Sequence, residues 1–173
     1  EASAIINPKQ ADCRYPDKRI CGAGVALKFA QHILSRFGLE SELDGLLEVA
    51  AIATICDVVD LIGENRIIVV NGLEILNKTT NIGLNALIEE SNLGGRPLGA
   101  YHVGYVIGPS LNASGRLESA LIGLKLLLSD NTEEARSIAA RLRELNEERK
   151  ALTEEGFVKV MRLVDGGLNR NNV

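Results

Sequence analysis

Tryptophan is absent from the 173 residues, and Phe and Tyr occur three times each. So few rings leave little within the chain for nucleobases to stack on. Cysteine is scarce as well: Cys13, Cys21 and Cys56 form no CxxC pair, and His32 and His102 are the only histidines. That set excludes a disulfide framework and a structural zinc site. It fits inert thiols in a reducing compartment, hence a cytoplasmic protein. Long apolar runs are missing too, since the stretch from Leu46 to Ile62 is broken by Glu48, Asp57 and Asp60 and cannot span a membrane. Nor is there an excess of base. A net charge of −4 argues against a generic basic surface for nucleic acid or anionic lipid. What is present is 46% hydrophobic and 24% charged residues, which excludes disorder and suits one medium domain with a real core.

The charge is unevenly placed. Residues 1–36 carry six bases and three acids, whereas residues 37–65 carry seven acids and no base. The remainder balances, so the whole net charge comes from one block. Such a block serves either a solvated helix face or a cation. The chain opens on Glu1 rather than Met and runs at once into Ala4-Ile5-Ile6, so it is read as an internal piece of a longer protein.

Periodicity predicts a mostly helical chain. Ala4–Asn7 reads as a short strand stopped by Pro8, and residues 9–21 as a polar loop with four bases. A helix is expected from Gly22 or Gly24 to Phe37, with Gly38 as its stop, and a second from Glu42 to Ile55. Arg66–Leu76 reads as helix, although Ile67-Ile68-Val69-Val70 suits a strand equally. Leu84–Glu90 is a short helix, and residues 91–99 form a flexible loop. The segment from Gly108 to Leu117 is expected to be a loop opening onto a helix through Leu128. A long helix then starts at a capping box of Asp130 and Glu133 and runs to about Val164, roughly 45 Å. A coiled-coil pairing is disfavoured by Arg149 and Gly156 in its seam.

Three segments could carry chemistry. Asp57 closes an apolar helix and precedes Val58-Val59, which places it at the edge of a buried element. A carboxylate there needs a cation, a base or several donors, unless it merely caps a turn. Around Asn112, small residues Ala113, Ser114 and Gly115 would allow close backbone approach ahead of a helix N-terminus, and Arg116 adds a guanidinium fork. That is an anion-binding pattern, or equally a Ser/Asn-rich capping turn. Gly22-Ala23-Gly24 offers the same logic with less support. Lys9, Arg14, Lys18 and Arg19 could touch a nucleic-acid backbone or simply be solvated, and both histidines read as structural.

Taken in order, these segments are recognisable: Ala4-Ile5-Ile6-Asn7-Pro8-Lys9, Tyr15-Pro16, Cys21-Gly22-Ala23-Gly24-Val25-Ala26, Ala53-Thr54-Ile55-Cys56-Asp57-Val58-Val59-Asp60-Leu61 with Glu64-Asn65-Arg66, Gly108 through Leu117, and Asn146-Glu147-Glu148-Arg149. The series, from Ala4 to about Lys150, resembles the RecJ family of the DHH phosphoesterase superfamily, single-strand-specific 5′→3′ DNA exonucleases. The resemblance implies an α/β fold of which this mostly helical fragment is a part, with a residual strand or two. Residues 1–130 would be the C-terminal part of a DHH domain, 131–165 a helix connecting to a DHHA1 domain, and 166–173 a disordered tail.

The resemblance also implies a two-metal phosphodiesterase using Mn2+ or Mg2+, with single-stranded DNA as partner and a role in repair and recombination. Asp57 matches a metal ligand. Asn112 and Arg116, with Ser114 and Gly115 between them, match a motif that holds the substrate phosphate. Two positions depart from the pattern: Asp60 stands where Pro is common, and Ser110 where a base is frequent. The Asp-rich and Asp-His-His motifs of the superfamily have no match here, so the fragment alone is expected to be inactive. Two other readings stay open: a DHH oligonucleotide or polyphosphate phosphatase, and a catalytically dead relative that only binds single strands or partner proteins.

Overall fold

The structure, a computed structural model, describes residues 3–165. Its first helix, α1 (Gly22–Phe37), starts at Cys21, whose Sγ accepts the Gly24 amide at 3.4 Å. It stops at Gly38, whose φ of 67° is the left-handed turn that glycine adopts at a helix end. After a short 3-10 turn (Glu40–Glu42) come α2 (Leu43–Cys56) and α3 (Gly63–Leu76). These two lie close because Gly72 has no side chain: a Cβ there would overlap Ala51 and reach within 2.7 Å of the Leu47 carbonyl oxygen. The helix-or-strand ambiguity at Ile67–Val70 resolves as helix. Ile68 and Val69 are buried, whereas Ile67 and Val70 face solvent.

Next is α4 (Ile82–Glu90), capped by Asn81, whose Oδ1 accepts the Leu84 amide at 2.9 Å. A one-turn helix α5 (Ala100–His102) leads into a π-helical turn (Val103–Ile107), in which the Gly108 N–H reaches back to Val103 O. This runs directly into α6 (Gly108–Leu117), followed by α7 (Leu121–Leu127) and the 34-residue α8 (Thr132–Asp165), about 51 Å long. Asn131 caps α8 by accepting the Glu133 and Glu134 amides at 2.9 Å, so the cap is one residue later than the expected Asp130.

The mostly helical expectation holds, and among the described residues no strand forms. Ala4–Asn7 is exposed irregular chain, with no neighbouring strand to complete a ladder. The 91–99 loop is tied down: Asn77 accepts the Leu98 amide (2.7 Å) and donates to its carbonyl (2.9 Å), while Leu93 and Leu98 are buried. The tail expected at 166–173 lies outside the described residues.

Two apolar clusters hold the helices. The larger joins α2, α3, α4, the π turn, α7 and α8 around Leu84, Leu87, Val103, Ile107, Leu126 and Leu142, all fully buried. The smaller packs Ile20 and Leu27 against Ala50, Ala51 and Ile68. Both use α2, which carries Asp57 at its C-terminal end.

Candidate functional site

Asp57 and Asn112, 55 residues apart in sequence, line one pocket of about 290 Å³ together with Cys21, Gly22, Ala23, Ala53 and Cys56. Three helix segments meet there: the N-terminus of α1, the C-terminus of α2 and the exposed face of α6. The meeting depends on Gly108. A Cβ at that position would overlap Cys56 Sγ and lie 3.0 Å from Val103 O, so only glycine lets α6 come this close to the end of α2. The Cys21 Sγ lies 3.5 Å from Thr54 Oγ1, which in turn donates to Ala50 O at 2.7 Å, tying α1 to α2 beneath the pocket. Burial pushes the Cys56 thiol above its ordinary pKa, so this lining residue stays a neutral thiol.

Asp57 itself is exposed, not set at a buried edge as the flanking valines imply. It is the C-cap of α2, its N–H bonded to Ala53 O at 2.9 Å. The chain leaves the helix through Val58, which has φ 55° and is 88% exposed. A β-branched residue in that left-handed region is strained, and strain of this kind gathers at functional turns. The carboxylate thus faces water, where a charged form needs no partner.

The largest correction concerns residues 112–116. They are not a loop before a helix but the second half of α6, with their amides inside the helical ladder. The anion-binding reading from free N–H groups fails for them. The side chains divide by face. Asn112 and Arg116, one turn apart, are both exposed on one face. Ser114 is fully buried on the other, its hydroxyl donating to Leu111 O at 3.2 Å, and a Cβ on the exposed Gly115 would meet Ala120 at 3.4 Å. The helix N-terminus at the pocket is that of α1, through Gly22 and Ala23. Gly22 and Ala23 carry the weaker chemical signal in the sequence, and Cys21 and Cys56 read there as inert thiols within the recognisable segments.

The basic loop lies against the turn that follows Asp57. Asn65, fully buried at the start of α3, donates through Nδ2 to Arg19 O (3.2 Å) and Asp60 O (3.1 Å). Arg19 pairs with Asp17 at 3.4 Å and with the exposed Asp60 at 3.7 Å. Lys18 donates to Cys13 O at 2.7 Å, whereas Lys9 and Arg14 are exposed with no ion pair among the described residues. Tyr15 closes the loop by donating to Glu64, which also pairs with Lys28 at 2.7 Å. Burial and then the Glu64 carboxylate raise the Tyr15 hydroxyl to about 12. Glu64 moves down: burial opposes its charge, but the bonds from Lys28 and Tyr15 outweigh it.

For a divalent cation, this donor set is partial. Asp57 offers one carboxylate at the pocket, and among the described residues no group of three or more His, Cys, Asp or Glu gathers to hold a metal. The residues fit one ligand of a metal centre rather than a complete one.

No protein-family profile matches the chain. Curated proteins do. The chain is 39% identical over 168 residues to the single-stranded-DNA-specific exonuclease RecJ of Bacillus subtilis, covering 95% of the chain and 20% of that protein. It is 39% identical to RecJ of Salmonella typhimurium and 35% identical to RecJ of Escherichia coli, over 91% and 95% of the chain and 29% and 30% of those proteins. Among solved structures, RecJ from Thermus thermophilus in complex with Mg2+ superposes with a TM-score of 0.76 at 34% identity, over 84% of this chain and 23% of that one. Exonuclease RecJ bound to manganese gives 0.77 at 34% identity, over 87% and 38%. Fold and sequence therefore define one class, the helical segment shared by these exonuclease structures. The chain is similar to these RecJ proteins over nearly all of its own length and spans between a fifth and a third of theirs.

Proposed function

We propose that this chain is part of a metal-dependent exonuclease that hydrolyses single-stranded DNA from the 5′ end in the cytoplasm, serving repair and recombination. The observation that carries the reading is the convergence of Asp57 and Asn112 on one pocket at the α1 N-terminus, in a chain of RecJ sequence. Residues 1–130 would belong to the catalytic DHH domain and 131–165 to a connecting helix. Asp57 would supply one ligand for Mn2+ or Mg2+, the ions present in the related structures. Such ions, when bound, activate water and offset charge on a scissile phosphate.

The chain's own residues do the rest. Asn112 donates or accepts at the pocket wall, and Arg116, one turn along the same exposed face, presents its fork to a phosphate oxygen. Lys9 and Arg14 extend a basic path along the loop, with Lys18 and Arg19 engaged beside them. Ser114 is turned inward and shapes α6, while the open Gly115 leaves the surface beside Arg116 free for close approach of a phosphate. With one carboxylate at the pocket, the 173-residue chain alone should not cleave DNA.

The test is Arg116→Ala in the full-length protein, measured on a 5′-phosphorylated single strand. Loss of most turnover with an unchanged melting temperature is expected, and wild-type turnover would end the phosphate role. Asp57→Asn should move the Mn2+ titration to higher concentration; an identical curve removes Asp57 from the ligand set.

A further inference from the structure

Arg149 is placed unlike the other paired bases of α8. Arg141, Arg143, Lys150 and Lys159 each hold a glutamate of the same helix within 4 Å. Arg149 is half-buried and has no carboxylate partner among the described residues. The residues one turn away on either side, Leu145, Asn146, Leu152 and Thr153, offer none. Its guanidinium is held instead by a neutral oxygen: Nε and one terminal nitrogen both donate to Asn146 Oδ1 at 3.2 Å. Asn146 is fully buried, and its own Nδ2 has no acceptor.

This arrangement is poor for stability. A buried amide donor left without an acceptor is destabilising, and an Asn–Arg contact does not neutralise the charge. What it achieves is orientation: two bonds to one fixed oxygen lock the guanidinium plane and leave its remaining N–H groups free for an acceptor-only partner. The position matters as well. Leu145 and Asn146 are the last buried residues of α8, and beyond them every described residue is exposed except Arg149. The fork therefore stands where the helix leaves the body.

We infer that Arg149, positioned by Asn146, binds a backbone phosphate of the single strand where it crosses the root of α8. This rests on the exonuclease reading and adds a contact away from the Asp57 pocket. The experiment uses the full-length protein and labelled oligothymidylate, without divalent cation, titrated across a salt series. Arg149→Gln should weaken binding about tenfold and make the salt dependence shallower by about 0.7 in logarithmic slope, the share of one single-strand phosphate. Arg149→Lys keeps the charge and should retain the wild-type slope at lower affinity. Asn146→Ala should likewise weaken binding with the slope preserved, since only orientation is lost. An unchanged slope and affinity in Arg149→Gln overturns the inference. If that variant loses melting temperature while affinity and slope stay at wild type, Arg149 serves only its contact with Asn146 and the inference falls. A wild-type protein that neither binds nor degrades single strands ends the exonuclease reading itself, whereas wild-type degradation with an unaltered Arg149→Gln ends only this one.

Discussion

The layer of α1 and its preceding loop differs sharply from the body of α4, α6, α7 and α8. In the body, Leu84, Leu87, Leu126 and Leu142 have no exposed surface at all. Among the described residues of the α1 layer only Ile20, Cys21 and Leu27 are buried hydrophobics, while Phe29 is 52% and Phe37 74% exposed, with Ile5, Ile6 and Ile33 also open. A groove of about 460 Å³ between the 5–15 segment and α1 is lined by Ile5, Ile6, Val25 and Phe29. The body closes a core beneath surface leucines such as Leu121 and Leu128, whereas the α1 layer has an apolar face in water over only a few buried residues, a feature that marks an interaction surface. The catalytic candidates lie where the two regions meet.

The strongest way to test that contrast is to truncate one leucine in the body. Leu142→Ala should cost about 2–5 kcal/mol, read by denaturant melting of the chain, because it leaves a cavity among well-packed neighbours. Next comes the seam. Gly108→Ala should destabilise by about 1–3 kcal/mol, since the added methyl must displace Cys56 Sγ, and it should separate Asn112 from Asp57. Retained stability there would mean α6 does not rest on α2.

A smaller and pH-dependent effect comes from Glu48, a nearly buried α2 acid whose Oε2 has no partner. Burial raises its pKa above 4.5, so the folded state holds its proton more tightly than the unfolded state does. Wild-type stability should then fall as pH rises from about the ordinary carboxylate value through the raised one. Glu48→Gln should lack that fall, gaining on wild type as pH increases. Parallel stability curves would show the carboxylate to be solvated.

Val58→Gly should stabilise by up to about 1 kcal/mol, because glycine relieves the left-handed strain and the exposed side chain contributes little. Least of all, Phe37→Ser should change melting by no more than about 0.5 kcal/mol, the counterpart of Leu142→Ala in the open layer. A large loss there would erase the distinction between the regions.

Much of this was legible in the sequence where burial follows period. The bounds of α1 come directly from apolar spacing and Gly38, and α2, α3 and α8 are displaced by a few residues at most. Residues 108–117 were misread because Gly, Pro and Ser are poor helix formers, and tertiary contacts override that preference here. Ser110 donates to Val106 O in the preceding π turn and Ser114 to Leu111 O within α6, Pro109 falls in the first turn of α6, and Gly108 is required by Cys56. The strand at Ala4–Asn7 failed for the opposite reason: its pattern is apolar, but a strand needs a partner. At the site, Asp57 and Asn112 were each visible as chemistry, while their meeting depended on a glycine contact that no local pattern encodes.

The π turn at Val103–Ile107 sets the angular phase of everything after it. It contains one residue more than an α-helical turn needs, and each residue of an α-helix advances by about 100°. Deleting a single residue there would leave a smoother helix of nearly the same length and turn Asn112 and Arg116 a quarter-circle or more from their present direction. Gly108 would leave its place opposite Cys56 at the same stroke. The site's geometry is therefore held by a count of residues as much as by their kinds, and one insertion in the helix keeps two distant parts of the chain in step.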